Sequence, residues 1–144
     1  MIKDEMKILI GLHRAVNEID HKTAKIAATY GLTFSQFAAL ETLYSKGDMT
    51  IGELQNKILS STGTIPLIIK HLTEKSYIER EIDSSDKRRC ILHLTDTGRK
   101  VIKEAFSENL NMLIEHMKVL SEDEKKDLIF LLKKLTGRLN DKKI

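Results

Sequence analysis

One segment near the middle of the chain differs in pattern from everything around it. Two short stretches of alternating apolar and polar residues, Tyr77–Ile82 and Cys90–Leu94, flank a charged stretch, Asp83–Arg89. Alternation with a period of about two predicts strands, so we expect a β-hairpin with a long polar tip. The tip carries consecutive basic residues, namely Lys87, Arg88 and Arg89. A basic finger of this kind has little core of its own and is suited to contact a polyanion.

Two short helical patterns precede the hairpin. Apolar residues at helical spacing predict helices over Thr50–Ile58 and Ser61–Lys75, and the first begins with a capping box. Capping boxes also predict helix starts at Thr33 and Ser121. The helix from Thr33 is expected to end at Lys46–Asp48, and the last helix is expected to include Leu139. Pro66 is tolerated only near a helix start, which predicts an N-cap near Ser61 or Thr62. The two helices and the hairpin together predict a winged helix-turn-helix, whose expected partner is duplex DNA.

The remaining helical patterns lie outside this unit. Apolar stripes run through residues 6–29 and 99–140, and each needs a surface to pack against. A second copy of the chain is the simplest partner. We therefore expect a mainly α fold with a small β-hairpin wing, in a single domain of residues 1–144. Its winged helix-turn-helix covers about 33–98, and dimerisation helices flank it.

Composition excludes several classes of protein. The 144 residues carry a net charge of +3 and a single cysteine, so no intrachain disulfide can form. The N-terminus is too polar for a signal peptide, and no apolar run reaches the roughly 20 residues of a membrane span. We expect a soluble cytoplasmic protein without membrane contact. No catalytic or cofactor-binding motif is present, so neither an enzyme nor a cofactor is expected.

In the order and spacing of these features, the chain resembles the MarR family of bacterial transcription regulators. The resemblance is carried by Leu32–Leu40, Gly47–Leu54, the stretch from Ser61 to Ile65, Leu72, Asp86 with Arg88, Leu94-Thr95 and Gly98. Gly47-Asp48 and the residues from Lys57 to Leu59 are most similar to the branch that answers to hydroquinones. One departure is Ser76, which stands where the family often has a glycine in a left-handed turn.

The resemblance implies a homodimer that represses a promoter by occupying a palindromic operator. The recognition helix would enter the major groove and Arg88 the minor groove, while Asp86 would orient the wing by pairing with a neighbouring basic group. The hydroxyl residues around the start of the recognition helix can contact phosphates or bases, or simply cap the helix. The candidate DNA contacts are Ser60, Ser61, Thr62, Thr64, Lys70, Asp86, Lys87, Arg88 and Arg89. His71 is equally expected to contact DNA or to face solvent.

The resemblance also implies release of DNA by a small molecule, with a phenol or an aromatic acid as the expected effector. Candidate lining residues are His13, Val16, Asn17, Phe37 and Leu40. Alternatives are a redox sensor using Cys90, which is otherwise expected as a small buried hydrophobe, and a metal sensor, although no close-spaced metal-ligand motif exists. His13, His21 and His116 would be the candidate metal ligands by location. A further alternative is a winged-helix protein-interaction module without DNA binding.

Overall fold

The computed structural model describes residues 1–58 and 64–141. The described residues form two compact units, one within Met1–Asn111 and the other within Met112–Ile144. The elements are α1 (Asp4–Thr29), α2 (Phe34–Lys46), β1 (Met49–Thr50), α3 (Ile51–Lys57), α4 (Ile65–Glu74), β2 (Ile78–Ile82), β3 (Cys90–Leu94), α5 (Asp96–His116), a 3₁₀ turn (Met117–Val119) and α6 (Glu122–Leu135). The mainly helical fold with a small β-hairpin is confirmed. Among the described residues, no helix combines the length and apolar content needed to cross a bilayer.

Local sequence signals set most helix boundaries in the first unit. Thr33 begins α2 with a complete capping box, in which its hydroxyl accepts from the Gln36 backbone N–H at 3.1 Å. Thr50 and Glu53 form the same arrangement at the start of α3. Gly47 ends α2 with φ +88°, a conformation that favours glycine. These starts and stops confirm the prediction, although α1 begins at Asp4 rather than at residue 6.

The sheet contains a strand that sequence patterns did not predict. β2 and β3 form the expected antiparallel hairpin, with Ile78 opposite Leu94 and Ile82 opposite Cys90. β1 adds to the other edge of β3, where Met49 pairs with Leu92. A two-residue strand is too short to show alternation. It nevertheless attaches the start of α3 to the hairpin.

The core of the first unit lies where the helix-turn-helix meets the sheet. Fully buried side chains come from α2, α3, α4, both hairpin strands and α5, and include Leu40, Leu54, Ile69, Leu72, Ile78, Leu92 and Ile102. Burying one aliphatic side chain of this size contributes about 1.5–3 kcal/mol. This shared core holds α4 and the hairpin at fixed positions relative to each other.

The start of α4 differs from the prediction. The helix begins at Ile65 with Thr64 as N-cap, two to three residues later than expected, and Pro66 falls in the first turn. A start at Ser61 or Thr62 would place Pro66 where its ring clashes with the preceding turn and a helical hydrogen bond is lost. At the other end, Ser76 has φ +60°, which confirms the left-handed turn expected there.

The second unit is a short helical segment. Ser121 caps α6 with the predicted box, its hydroxyl accepting from the Glu124 backbone N–H at 3.1 Å. The helix ends at Leu135, and Gly137 adopts φ +71°, so Leu139 lies beyond the helix rather than in its last turn. Large apolar side chains of α6 are exposed, namely Leu128, Ile129, Phe130, Leu131, Leu132 and Leu135.

Candidate nucleic-acid interface and effector cleft

The hairpin tip is shaped by two aspartates. The Asp83 carboxylate accepts from the backbone N–H of Ser85 at 2.9 Å and from its hydroxyl at 2.7 Å. The Asp86 carboxylate accepts from the backbone N–H of Arg88 at 3.0 Å. Both are side-chain turns in which an aspartate binds the backbone two residues on. The tip therefore has a defined shape despite its polarity.

Arg88 is held in place and yet open to solvent. Its Nε donates to Asp86 Oδ1 at 3.2 Å, while the Arg88 side chain remains 91% exposed. The partner carboxylate is 33% exposed. The predicted pairing of Asp86 with a basic neighbour is thus present, and it presents a guanidinium at the end of the hairpin.

Arg89 joins the tip to the helix-turn-helix. Its guanidinium lies 3.9 Å from Asp83 Oδ2 and 3.8 Å from Glu53 Oε1. Glu53 is also the carboxylate that closes the capping box of α3. Arg89 therefore ties the wing to α3, which makes it a structural residue as well as a basic one. Lys87 is exposed on the same tip.

The hydrogen bonds of the tip stabilise both carboxylates in their charged form. The pKa of Asp83 is lowered chiefly by the hydrogen bond from the Ser85 hydroxyl, and the pKa of Asp86 chiefly by the side-chain bond from Arg88. Each carboxylate therefore gains its proton at a lower pH than an ordinary aspartate does.

The outer face of α4 is the other part of the candidate interface. Ile68, Ile69 and Leu72 point into the core. Leu67 and Lys70, one helical turn apart, are exposed on the opposite side. Thr64 is exposed at the N-cap, where its side chain forms no capping hydrogen bond. Ser60, Ser61 and Thr62 lie outside the described residues. His71, by contrast, is half-buried.

The base of the hairpin is fixed against the start of α5. The Thr95 hydroxyl donates to the Ser76 carbonyl at 2.6 Å and accepts from the Gly98 backbone N–H at 2.9 Å. The backbone N–H of Thr95 donates to the Tyr77 carbonyl at 3.1 Å. One threonine therefore caps α5 and closes the left-handed turn after α4. This contact gives a structural reason for the Leu94-Thr95 and Gly98 part of the signature.

A cleft of about 310 Å³ lies between α1, α2, the end of α3 and α5. Its lining residues are Asp20, Thr23, Phe34, Phe37, Ala38, Glu41, Thr42, Lys57, Ile58 and Asn109. The Thr23 hydroxyl donates to Asn109 Oδ1 at 2.8 Å, which joins α1 to α5 at the cleft. The cleft offers one aromatic wall, several polar groups, two carboxylates and one ammonium.

The predicted effector residues fit this cleft only in part. Phe37 lines it, but Leu40 on the same helix is fully buried in the core. His13, Val16 and Asn17 are exposed on α1 and do not line it. The α1 residues that do so, Asp20 and Thr23, lie about one turn further along the same helical face. Extending the α1 stripe by one turn would have found them, whereas Asn109 carried no sequence signal.

The redox and metal alternatives receive little geometric support. Cys90 is half-buried rather than buried, because it faces the exposed Ile82 at the distal end of the hairpin, beyond the core contacts of Leu92. Within residues 1–58 and 64–141, no three His, Cys, Asp or Glu side chains are grouped to hold a metal ion. His93 instead contacts carboxylates of β2, with Nε2 3.0 Å from Glu79 Oε2.

Comparison with known proteins gives these features a family. The model of the MarR family matches residues 32–90. The HTH-type transcriptional regulator MhqR of Bacillus subtilis is 30% identical over 135 residues, which cover 94% of this chain and 93% of MhqR. This match spans the outer helices as well as the winged helix.

Solved structures agree with this assignment. A cysteine-to-serine mutant of E. coli MarR, crystallised with operator DNA, superposes with a TM-score of 0.71 at 25% identity, covering 92% of this chain and 99% of the MarR chain. The organohalide-sensing regulator RdhR in its 2,4-dichlorophenol-bound form superposes with a TM-score of 0.80 at 17% identity, covering 95% of this chain and 82% of RdhR, which shows the shared fold alone. The chain belongs to the MarR family of DNA-binding winged-helix transcriptional regulators, which are not enzymes.

Proposed function

We propose that this chain forms a homodimer that binds a palindromic operator and represses transcription until a small neutral phenol enters the cleft beside α2. The observation that carries the DNA-binding mode is the Arg88 guanidinium, which is oriented by Asp86 and exposed at the end of the hairpin. An arginine inserted into a narrow minor groove gains from the strong negative potential there.

In this mode α4 lies in the major groove while the wing reaches the adjacent minor groove. The shared core fixes α4 and the hairpin relative to each other, so both elements can contact one duplex without rearrangement. Lys70 on α4 and Lys87 on the wing would meet backbone phosphates, which set affinity and register without reading sequence.

The test is the loss of DNA binding on truncation of the wing arginine. Arg88→Ala should weaken operator binding by about 1–3 kcal/mol. Arg80→Ala is the matched control, because Arg80 is also exposed on the hairpin but lies on β2 away from the tip. Binding of the unaltered protein should also fall steeply with salt as counterions are released. A folded Arg88→Ala protein that binds as well as Arg80→Ala would contradict the proposed DNA-binding mode.

Dimerisation is supported by the apolar surfaces that a single chain leaves exposed. On α6, Leu128, Leu131, Leu132 and Leu135 recur at helical spacing on one face. On α1, Ile8, Leu9 and Val16 are exposed. An exposed apolar face on a helix, as each of these two helices carries, marks an interaction surface. We propose a second copy of the chain as the partner of these surfaces, because a two-fold dimer would also present two winged helix-turn-helix units to a palindromic site.

Sedimentation tests the dimer. Leu131→Glu should shift the protein toward its 16.5 kDa monomer and weaken folding with it. Lys126→Glu introduces a carboxylate at an exposed position on another face of α6 and should leave the dimer intact. A stable monomer of the unaltered protein at micromolar concentration would contradict this part of the proposal.

The lining of the cleft favours a phenol over an aromatic acid. Its volume of about 310 Å³ lies at the lower end of the range for small-molecule sites, which suits a single ring. Asp20 and Glu41 outnumber Lys57, so an anionic ligand meets more repulsion than attraction. A phenol hydroxyl can donate to one of these carboxylates while its ring packs on Phe37. The RdhR structure holds a phenol, but the fold alone is shared, so the ligand class proposed here rests on this lining.

We propose that a ligand in the cleft alters the spacing between the two winged helix-turn-helix units of the dimer. Its walls come from α1 and α5 on one side and from α2 and the end of α3 on the other. The Lys75 ammonium after α4 also donates to the Gly31 carbonyl after α1. Two heads must match half-sites about one helical turn apart. A ligand that prefers another spacing by a few kcal/mol is enough to release DNA.

Titration of the protein–DNA complex tests the effector. Hydroquinone or phenol should release DNA at lower concentration than salicylate. Ala38→Phe fills the cleft, so it should abolish the response while DNA binding remains. Ala28→Phe is the control, because Ala28 is exposed on α1 and outside the cleft. If no phenol releases DNA and oxidation of Cys90 does, the thiol is the sensor and the cleft is not.

A further inference from the structure

The solvent-facing side of α4 carries an exposed leucine, Leu67, in the first turn of the helix. Leu67 is 49% exposed, whereas its helix neighbours Ile68 and Ile69 are buried on the other side. Lys70 follows one turn later on the same outward face. Leu67 therefore points away from the core that holds the helix.

Its place in the helix decides what it can meet. Leu67 lies in the first turn of α4, and in helix-turn-helix proteins the N-terminal residues of the second helix contact the edges of bases. Glu74 stands at the opposite end of the helix, where its carboxylate would be repelled by phosphates. The N-terminal end is therefore the end that approaches the groove.

Only one feature of the base pairs in the major groove can be recognised by an apolar leucine side chain. A leucine side chain has no hydrogen-bonding group, so it cannot read the donors and acceptors that arginine, asparagine or glutamine would read. The apolar feature of the major groove is the C5-methyl group of thymine. We propose that Leu67 is a specificity-determining residue that buries the C5-methyl group of one thymine in each half-site. This inference rests on the DNA-binding mode proposed above.

Deoxyuridine gives a direct test, because it pairs like thymidine and lacks only the methyl group. The probe is a duplex selected from random-sequence DNA by the full-length protein, then resynthesised with uracil in place of one thymine at a time. At one thymine per half-site, removal of the methyl should weaken binding about fourfold, the loss expected for one buried methyl. Other thymines should show little change.

The substitution Leu67→Ala should produce the same loss on the thymine duplex and no further loss on the uracil duplex. Lys70→Ala is the control. Loss of a phosphate contact should weaken binding to the thymine duplex and to the uracil duplex by the same factor, so that the preference for thymine over uracil remains. Leu67 is half-exposed, so its truncation should leave the fold intact, which circular dichroism checks. The unaltered protein provides an arm that does not depend on any variant folding.

Two results would overturn the inference. One is an unaltered protein that tolerates uracil at every thymine, and the other is a Leu67→Ala protein that keeps the sensitivity. If DNA binding still depends on Arg88 in either case, the proposed contact between Leu67 and thymine is rejected, while the proposed DNA-binding mode is kept. If no duplex is selected, the DNA-binding mode and this inference fail together.

Discussion

The Tyr77 backbone lies against the Cα of Gly98 so closely that a Cβ at position 98 would stand 2.0 Å from the Tyr77 carbonyl oxygen. The contacting atoms are backbone, which cannot rotate away as a side chain would. The start of α5 and the start of the hairpin are therefore in direct backbone contact. Gly98 does not have a positive φ, so its backbone conformation does not require glycine. Glycine is required here because there is no room for a Cβ.

Gly98→Ala should therefore destabilise the protein by about 1–3 kcal/mol, the usual cost of overpacking a filled site. Urea unfolding would measure the change. Gly52→Ala is the control, because a Cβ at Gly52 meets no atom within 4 Å and alanine favours its helix. A Gly98→Ala protein as stable as Gly52→Ala would show that the two elements separate easily.

Ser76→Gly should stabilise the protein by about 1 kcal/mol. Ser76 adopts φ +60°, where the Cβ of an L-residue meets the following carbonyl and glycine does not. Thermal unfolding would measure the gain. Ser85→Gly is a suitable comparison, because Ser85 has no positive φ and its hydroxyl bonds Asp83, so that substitution should destabilise instead.

The features that were predicted correctly are those encoded within a few residues. The capping boxes at Thr33, Thr50 and Ser121 each join residues three apart, so the sequence shows them directly. The hairpin is similarly visible, because alternation and a polar tip occur in one continuous segment. The pairing of Asp86 with a neighbouring basic group was expected, and the structure identifies the partner as Arg88, two residues away.

The features that were missed depend on contacts between distant segments. Strand β1 exists because Met49 pairs with Leu92, which no local pattern indicates. Asn109 enters the cleft through its bond to Thr23 from another helix. Leu40, a predicted lining residue, is fully buried in the core. Spacing along a helix shows which residues share a face, but it does not show whether that face meets the core or a cleft. Tertiary packing decided each of these cases.

Tyr30 should lose its proton at a higher pH than an ordinary tyrosine does. Its hydroxyl donates to Glu108 Oε1 at 2.5 Å, and this bond is the main cause that raises the pKa of Tyr30 to about 12. A raised pKa means that the bond stabilises the fold below the ordinary tyrosine range and that this stability is lost as the pH rises through about 12. Ultraviolet absorbance of tyrosinate would follow the titration. Glu108→Ala should return Tyr30 to the ordinary range, and an unchanged profile would contradict the bond.

A double-mutant cycle at the wing tip separates positioning from charge. If Asp86 acts on DNA by orienting Arg88, Asp86→Ala should weaken binding although it removes a negative charge that repels phosphate. In the Arg88→Ala background the same substitution should have no such effect, which gives a coupling energy of about 1 kcal/mol.

Asp83→Ala is not an equivalent control, because Asp83 also contacts Arg89. Glu81→Ala, on an exposed carboxylate of β2, removes the same charge without touching the tip. Fluorescence anisotropy with a labelled operator at fixed salt would measure all variants. If Asp86→Ala strengthens binding as Glu81→Ala does, the aspartate acts only as a charge and the exposed arginine needs no support.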